Sequence, residues 1–175
     1  MPKPAGYSGT PLPKKLGLKE NFLVSLTGMP SDVTTGLKDA LAQCRVAKDG
    51  QNNLDFAMIF VKTQADLGKL FVRCARRLAP SGMLWVSWPK KASGVATDLN
   101  ENTVRDLGLA IGLVDIKVCA VSEIWSGLKF VIPVKDRKKI QGLRAGAHPR
   151  EREPVCGKGA HRTVRKALKH SAFSI

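Results

Sequence analysis

From residue 22 to residue 134 the apolar positions alternate between short continuous runs and helical stripes. Residues 22–26 (Phe-Leu-Val-Ser-Leu) form an apolar run stopped by Thr27-Gly28-Met29-Pro30, as in a buried strand ending in a turn. Ser31 is expected to cap a helix whose inward positions are Val33, Leu37, Ala40 and Leu41. A short second strand is expected around residues 44–47. Residues 54–61 are apolar on both faces apart from Asp55, which predicts a central strand covered on both sides. Thr63 with Asp66 three positions on resembles a capping box and opens a helix with apolar residues at Leu67, Leu70, Phe71, Cys74 and Leu78. Lys69, Arg73, Arg76 and Arg77 take its outer face and its end, where cations suit the helix dipole. Ala79-Pro80-Ser81-Gly82 is expected to stop that helix and turn the chain into a strand over residues 83–88.

The loop 89–97 leads to a helix predicted over residues 100–111, capped by Asn100, stapled by Leu99 against Val104 and closed by Gly112, with Val104, Leu107 and Ile111 inward. Two β-rich runs follow, 116–124 and 128–134. Trp125-Ser126-Gly127 between them reads as a hairpin turn, and hence as an antiparallel edge pair. Prolines and glycines are dense in residues 1–21 and argue against a regular element there. Past Pro133 the apolar periodicity fades. The expected organisation is an arm (1–21), a Rossmann-like domain (22–135) and a basic, flexible or peripheral tail (136–175). Alternating strands and helices imply right-handed crossovers. The predicted fold is α/β, a Rossmann-like three-layer sandwich with a mostly parallel sheet and a C-terminal antiparallel hairpin.

Composition adds limits to this picture. The chain has 175 residues, 43% hydrophobic and 25% charged, which suits one folded domain with tails. No apolar run reaches the roughly 20 residues of a membrane span, and Met1-Pro2-Lys3-Pro4 is not followed by the apolar stretch of a secretory signal. A cytoplasmic protein without membrane contact is expected. Cys44, Cys74, Cys119 and Cys156 include no Cys-x-x-Cys pair and read as reduced residues, the first three buried. The net charge is +15, of which residues 135–175 carry +9 (12 Lys and Arg against three Asp and Glu).

The order helix, Leu78-Ala79-Pro80-Ser81-Gly82, strand, helix, hairpin resembles the second half of class I S-adenosylmethionine-dependent methyltransferases, over residues 54–134. A more specific resemblance lies in Ala5-Gly6-Tyr7-Ser8-Gly9-Thr10-Pro11-Leu12 with Lys14-Lys15-Leu16-Gly17, and in Leu84-Trp85-Val86 with the run from Trp88-Pro89-Lys90-Lys91-Ala92-Ser93-Gly94 to Leu99. It continues in residues 113–120 and in Trp125-Ser126-Gly127-Leu128-Lys129. In these stretches the chain resembles an uncharacterised bacterial family known only as a domain of unknown function. That likeness covers residues 5–135, leaves residues 139–175 outside, and implies no activity.

Methyltransferases hold their cofactor on a glycine-rich turn after the first strand, because only glycine lets the backbone approach the ligand. Here that turn reads Thr27-Gly28-Met29-Pro30-Ser31-Asp32, with one glycine. Asp49 could be the acidic residue after the second strand, or part of a plain Asp-Gly turn. No amine-positioning motif follows the strand 54–61, where the chain has Lys62-Thr63. All three histidines (His148, His161, His170) lie in the tail, so the domain has none for acid-base work. With Cys156 they make a poor zinc set, and no catalytic residue, metal or cofactor is assigned.

The best candidate site is the loop after the strand 83–88, since ligands of open α/β sheets collect beyond the carboxyl ends of strands. Lys90, Lys91, Ser93 and Gly94 offer two cations, a hydroxyl and free amides for a phosphate or carboxylate. Ser8, Gly9, Thr10, Lys14 and Lys15 would join them if the arm folds over that edge, and Tyr7 would stack or anchor the arm. Trp85 and Trp88 have opposite parity and are expected to pack on opposite faces. Trp125 is expected in the hairpin turn, either exposed as an anchor or folded back onto the sheet. Three functions follow: a non-catalytic domain binding an anionic small molecule or protein partner at 90–94; a divergent methyltransferase using the same edge; or a nucleic-acid-associated protein acting through tail phosphate contacts.

Overall fold

A computed structural model describes residues 9–145, with the backbone alone for 141–145. Its six-stranded sheet has the order β2-β1-β3-β4-β6-β5, from β1 (Leu23–Thr27), β2 (Arg45–Val46), β3 (Leu54–Phe60), β4 (Leu78–Pro89), β5 (Val114–Ala120) and β6 (Trp125–Val131). The first four strands are mutually parallel, and β6 runs antiparallel between β4 and β5. The chain therefore has the expected α/β Rossmann-like fold with a C-terminal hairpin. Among the described residues no helix is long and apolar enough to cross a membrane.

Helices α1 (Leu12–Leu16), α2 (Ser31–Ala42), α3 (Gln64–Ala75), α4 (Glu101–Ala110) and α5 (Val134–Ala145) complete the described elements. Alternation along the central strands divides the core between two faces. Leu16, Val33 and Leu37 of α1 and α2 pack on Phe56, Met58 and Trp85. On the other face Leu67 and Phe71 of α3 and Val104 of α4 pack on Ile59, Val86, Trp88 and Phe130. Trp85 and Trp88 thus lie on opposite faces, as their parity requires. The caps follow the local sequence: Thr63 accepts from the Asp66 N–H at 3.2 Å and donates to its carboxylate at 2.9 Å, and Asn100 accepts from the Thr103 N–H at 3.0 Å.

Several expectations are corrected. Pro30, without a side-chain bond, caps α2, and Ser31 is its first helical residue. Helix α3 ends at Ala75, while Leu78 already belongs to β4. Residues 79–82 bulge out of that strand, since Leu54 pairs with Leu78 and Phe56 with Met83. Gly82 permits it, because a Cβ there would stand 2.3 Å from the Leu54 carbonyl oxygen. The hairpin turn lies before Trp125, which opens β6 and is buried, its ring edge-on to Phe60 with centroids 5.1 Å apart.

The flanks also hold structure. Gly17, at φ +75°, ends the short helix α1, and the buried carbonyl of Leu16 accepts from Trp85 Nε1 at 2.9 Å. Helix α5 occupies the beginning of the region expected as a tail. There Ile140 packs against the core and Arg137 Nε donates to the Ile132 carbonyl at 3.1 Å.

Candidate functional site

Strand β4 delivers the buried pair Trp88-Pro89 to the carboxyl edge of the sheet, and the chain then folds tightly. The Lys90 N–H donates to the Ile124 carbonyl at 2.8 Å, and Lys90 Nζ to the Ser122 carbonyl at 2.7 Å. Both bonds tie the loop to the β5–β6 turn. The Ser93 hydroxyl donates to the Lys90 carbonyl at 2.6 Å and accepts from the Val95 N–H at 3.3 Å, so it serves the 3-10 turn Lys91–Ser93. Gly94 ends that turn at φ +71°, in open space. The loop is therefore internally built.

Its continuation straps β3 to α3. Thr97 Oγ1 donates to the Lys62 carbonyl at 2.7 Å, and the Asp98 carboxylate accepts from the Gln64 N–H at 2.8 Å. An acidic group at the first turn of α3 suits the helix dipole. The same strap occupies the end of β3, where the sequence lacks an amine-positioning motif.

Between this loop and α4 lies an open groove of about 570 Å³, lined by Trp88, Pro89, Lys90, Lys91, Asn100, Glu101, Asn102 and Ser126. The first turn of α4 adds the partial positive charge of a helix N-terminus to the two lysines. Glu101, the one carboxylate among the described lining residues, is held by Arg105 Nη2 at 2.6 Å, and Arg105 Nε reaches Asp115 at 2.9 Å. Bonds to Asp115 and Glu101 raise the guanidinium pKa above its ordinary value. Lys90 has spent one of its three donors on Ser122, which fixes its stem and leaves two. The groove is net cationic, with amide and hydroxyl donors on its walls.

The arm does not complete it. None of the described arm residues lines the groove. Gly9, Thr10 and Lys14 are exposed, while the Lys15 carbonyl accepts from Lys117 Nζ at 3.4 Å. Tyr7 and Ser8 lie outside the described residues, as do His148, Cys156, His161 and His170.

The turn expected to hold a methyltransferase cofactor is built differently. Gly28 has φ +68°, and a Cβ there would stand 3.0 Å from the Phe60 carbonyl oxygen. Its lack of a side chain serves the packing of this turn on β3. Asp49 carries an ion pair with Arg73 and accepts from the Gly50 N–H at 3.1 Å. A smaller cavity of about 210 Å³ between Thr27, Asp49, Arg73 and Arg77 lies beside it. Cys74 is buried, Cys44 and Cys119 partly so, and all three are free. Burial raises each thiol pKa above its ordinary value, which keeps them protonated and unreactive. No group of three His, Cys, Asp or Glu suited to a metal ion occurs among the described residues.

Sequence reasoning found the lysine side of the groove and missed Asn100, Asn102 and Ser126. Asn100 announced itself only as a cap. That the first turn of α4 faces Lys90 follows from the helix starting at the carboxyl edge of the sheet, where β4 ends.

Solved structures similar to this chain include methyltransferases. One is an S-adenosylmethionine-dependent methyltransferase from Aquifex aeolicus, at 14% identity and a TM-score of 0.48, covering 69% of this chain and 87% of the other. Another is the magnesium protoporphyrin IX methyltransferase of Synechocystis with bound S-adenosylhomocysteine, at 11% identity, TM-score 0.47, and 65% and 75% coverage. A third is the precorrin-6y C5,15-methyltransferase of Geobacter metallireducens, at 11% identity, TM-score 0.48, and 70% and 86% coverage. At such identities the likeness concerns the fold alone. No curated protein matches the chain. A family model does match residues 13–134, and the chain belongs to that family, described as "Protein of unknown function (DUF3052)".

Proposed function

We propose that this protein is a Rossmann-like binding domain that takes an anionic ligand, or an anionic group of a partner, in the groove at the carboxyl end of β4. The observation that carries the reading is the convergence of Lys90, Lys91 and the first turn of α4 on one open groove whose single carboxylate is already paired. Lysines supply charge without fixed geometry, and helix amides supply directed donors, which together suit a phosphate or carboxylate. The fixed Lys90 stem reduces the ordering that binding would otherwise require. A methyltransferase at this edge is the competing reading. Gly28 packed on Phe60 and Asp49 paired with Arg73 speak against it, because both positions where a cofactor would be held serve the chain itself.

Calorimetric titration of the full chain with inorganic phosphate, at low ionic strength, tests the proposal. Lys91→Gln is expected to weaken binding about tenfold, the net worth of one charge-assisted hydrogen bond, and Asn102→Ala by less. Absence of phosphate binding, or binding indifferent to Lys91→Gln, overturns the site. Micromolar binding of S-adenosylmethionine overturns the non-catalytic reading in favour of a methyltransferase.

A further inference from the structure

The groove at the end of β4 offers more than charge. Its volume of about 570 Å³ falls in the range of about 300–1,000 Å³ usual for small-molecule sites, and a lone phosphate would leave much of it empty. The floor is apolar. Trp88 and Leu99 belong to the core on the α4 side of the sheet and show only an edge, at 5% and 4% exposure, with Pro89 beside them. Ser126 is registered opposite Trp88 across the antiparallel β4–β6 pair. Registered partners share a face, so its side chain stands on the same floor.

Around that floor the polar groups divide by chemistry. Lys90 and Lys91 make one wall cationic. The first turn of α4 makes the other wall from an acceptor and neutral donors. Asn100 spends Oδ1 on the Thr103 N–H at 3.0 Å, which leaves its amide nitrogen to donate elsewhere. Glu101 spends Oε1 on Arg105 Nη2 at 2.6 Å, and its other oxygen has no partner among the described residues. The side chains of Asn102 and Ser126 have none there either. Two lysines against one carboxylate suit a single phosphate group, whereas a second phosphate reaching α4 would meet Glu101. A hydroxyl suits that wall better, since it donates to a carboxylate while accepting from an amide. A ring that carries several hydroxyls above apolar C–H faces would satisfy the wall and the floor together.

On the reading that Lys90 and Lys91 hold an anion, we propose that the ligand is the monophosphate ester of a sugar or similar polyhydroxy compound. Its phosphate lies on the two lysines and its hydroxyls on Glu101, Asn100, Asn102 and Ser126. Glu101 is then the residue that sets specificity, because it accepts from a hydroxyl where it would repel a further anionic group. Arg105, itself held by Asp115 at 2.9 Å, fixes that carboxylate in place.

Calorimetric titration of the full chain with inorganic phosphate, glucose 6-phosphate, ribose 5-phosphate and glucose, at one ionic strength, tests the class. At least one sugar phosphate is expected to bind about tenfold more tightly than inorganic phosphate, the net worth of one or two added hydrogen bonds, and glucose far more weakly than either. Glu101→Gln separates the roles by sign. Loss of the charge should tighten inorganic phosphate about twofold. The same variant should weaken the sugar phosphate about fivefold, because the oxygen that Gln keeps stays with Arg105 and its amide nitrogen cannot accept. Ser126→Ala should weaken the sugar phosphate alone, and tests the class even if Glu101→Gln folds poorly. If inorganic phosphate does not bind, the anion site fails and this assignment with it. If inorganic phosphate binds and neither sugar phosphate exceeds it, the sugar assignment alone is overturned. The same follows if Glu101→Gln shifts phosphate and sugar phosphate in one direction, or if a phosphoserine peptide binds as tightly as the sugar phosphates.

Discussion

Ser87 shows how closely β4 is packed at the level of single residues. Its hydroxyl is fully buried and has no hydrogen-bond partner among the described residues, on the strand that carries the groove. A buried unpaired polar group is a standing cost. Ser87→Ala is therefore expected to raise stability by about 1 kcal/mol, read as a higher urea midpoint at unchanged slope. Loss of stability would mean that the hydroxyl has a partner in solution.

Lys129 gives a residue-scale prediction with a defined sign. Its folded pKa lies below the ordinary lysine value of 10.5, so the unfolded chain binds more protons in the window just below that value. Stability contributed by this residue must rise as pH rises through the window, the reverse of a lysine held by a carboxylate. Unfolding free energy measured across the alkaline range, wild type against Lys129→Gln, should show the rise in the wild type alone. Added salt should reduce only the part owed to Lys117 and Lys19, because the larger cause, burial of the ammonium, is not screened.

Individual contacts decide how whole elements sit. Helix α4 approaches β6 so closely that a Cβ at Gly108 would stand 2.1 Å from Phe130 Cε1. Phe130 cannot swing aside, being fully buried and edge-on to Phe71 at 5.1 Å. Gly108→Ala gains about 1 kcal/mol in helix propensity but overpacks the core by about 3 kcal/mol. The expected net loss of about 2 kcal/mol, measured by urea unfolding, would also disturb the groove, because α4 carries Asn100 to Asn102.

The arm depends on Trp85 in the same way. Trp85→Phe leaves the Leu16 carbonyl buried without its donor, at a cost of about 1–3 kcal/mol. Limited proteolysis should then cut ahead of residue 20 well before the remainder of the domain. Resistance equal to wild type would show that side-chain packing of Leu16 alone holds the arm.

Elements were legible in the sequence wherever one periodicity ran undisturbed. The stripe Leu67, Leu70, Phe71, Cys74 located α3, and the two-sided apolar run 54–60 located β3. The hairpin was misplaced because Trp125-Ser126-Gly127 looks like turn chemistry. In fact Gly127 is a strand residue made necessary by close packing, since a Cβ there would lie 2.8 Å from Val121 Cγ2 and 3.3 Å from Trp85 Cε3. Helix α5 was missed because its described part, a strongly basic stretch, offers Ile140 as the one apolar side chain packed against the core.

Across the whole molecule, positive charge is concentrated toward the C-terminal end of the sequence. Residues 146–175 carry seven Lys and Arg against two Glu, a net +5, and lie beyond α5. If the protein associates with nucleic acid through this segment, a chain ending after Ala145 should elute from immobilised duplex DNA at lower salt than the full chain. Elution at the same salt would count against association driven by the tail. Ending the chain at residue 135 would be a poorer test, because it removes α5 and its contact with the core.

The sequence by itself determined the α/β class, the order of elements from β1 to β6, the helix caps at Thr63 and Asn100, and the opposite faces of Trp85 and Trp88. These are local properties, set by periodicity and by hydrogen bonds within one turn. Only the tertiary structure decided which polar groups stand together. Lys90 and Lys91 face the first turn of α4 because the helix starts at the edge of the sheet where β4 ends. The Lys15 carbonyl meets Lys117 Nζ, over a hundred residues away, because β5 folds back beside β6 and the arm crosses above them. Residues that distant share a surface only through packing of the elements that carry them, and no spacing along the chain records it.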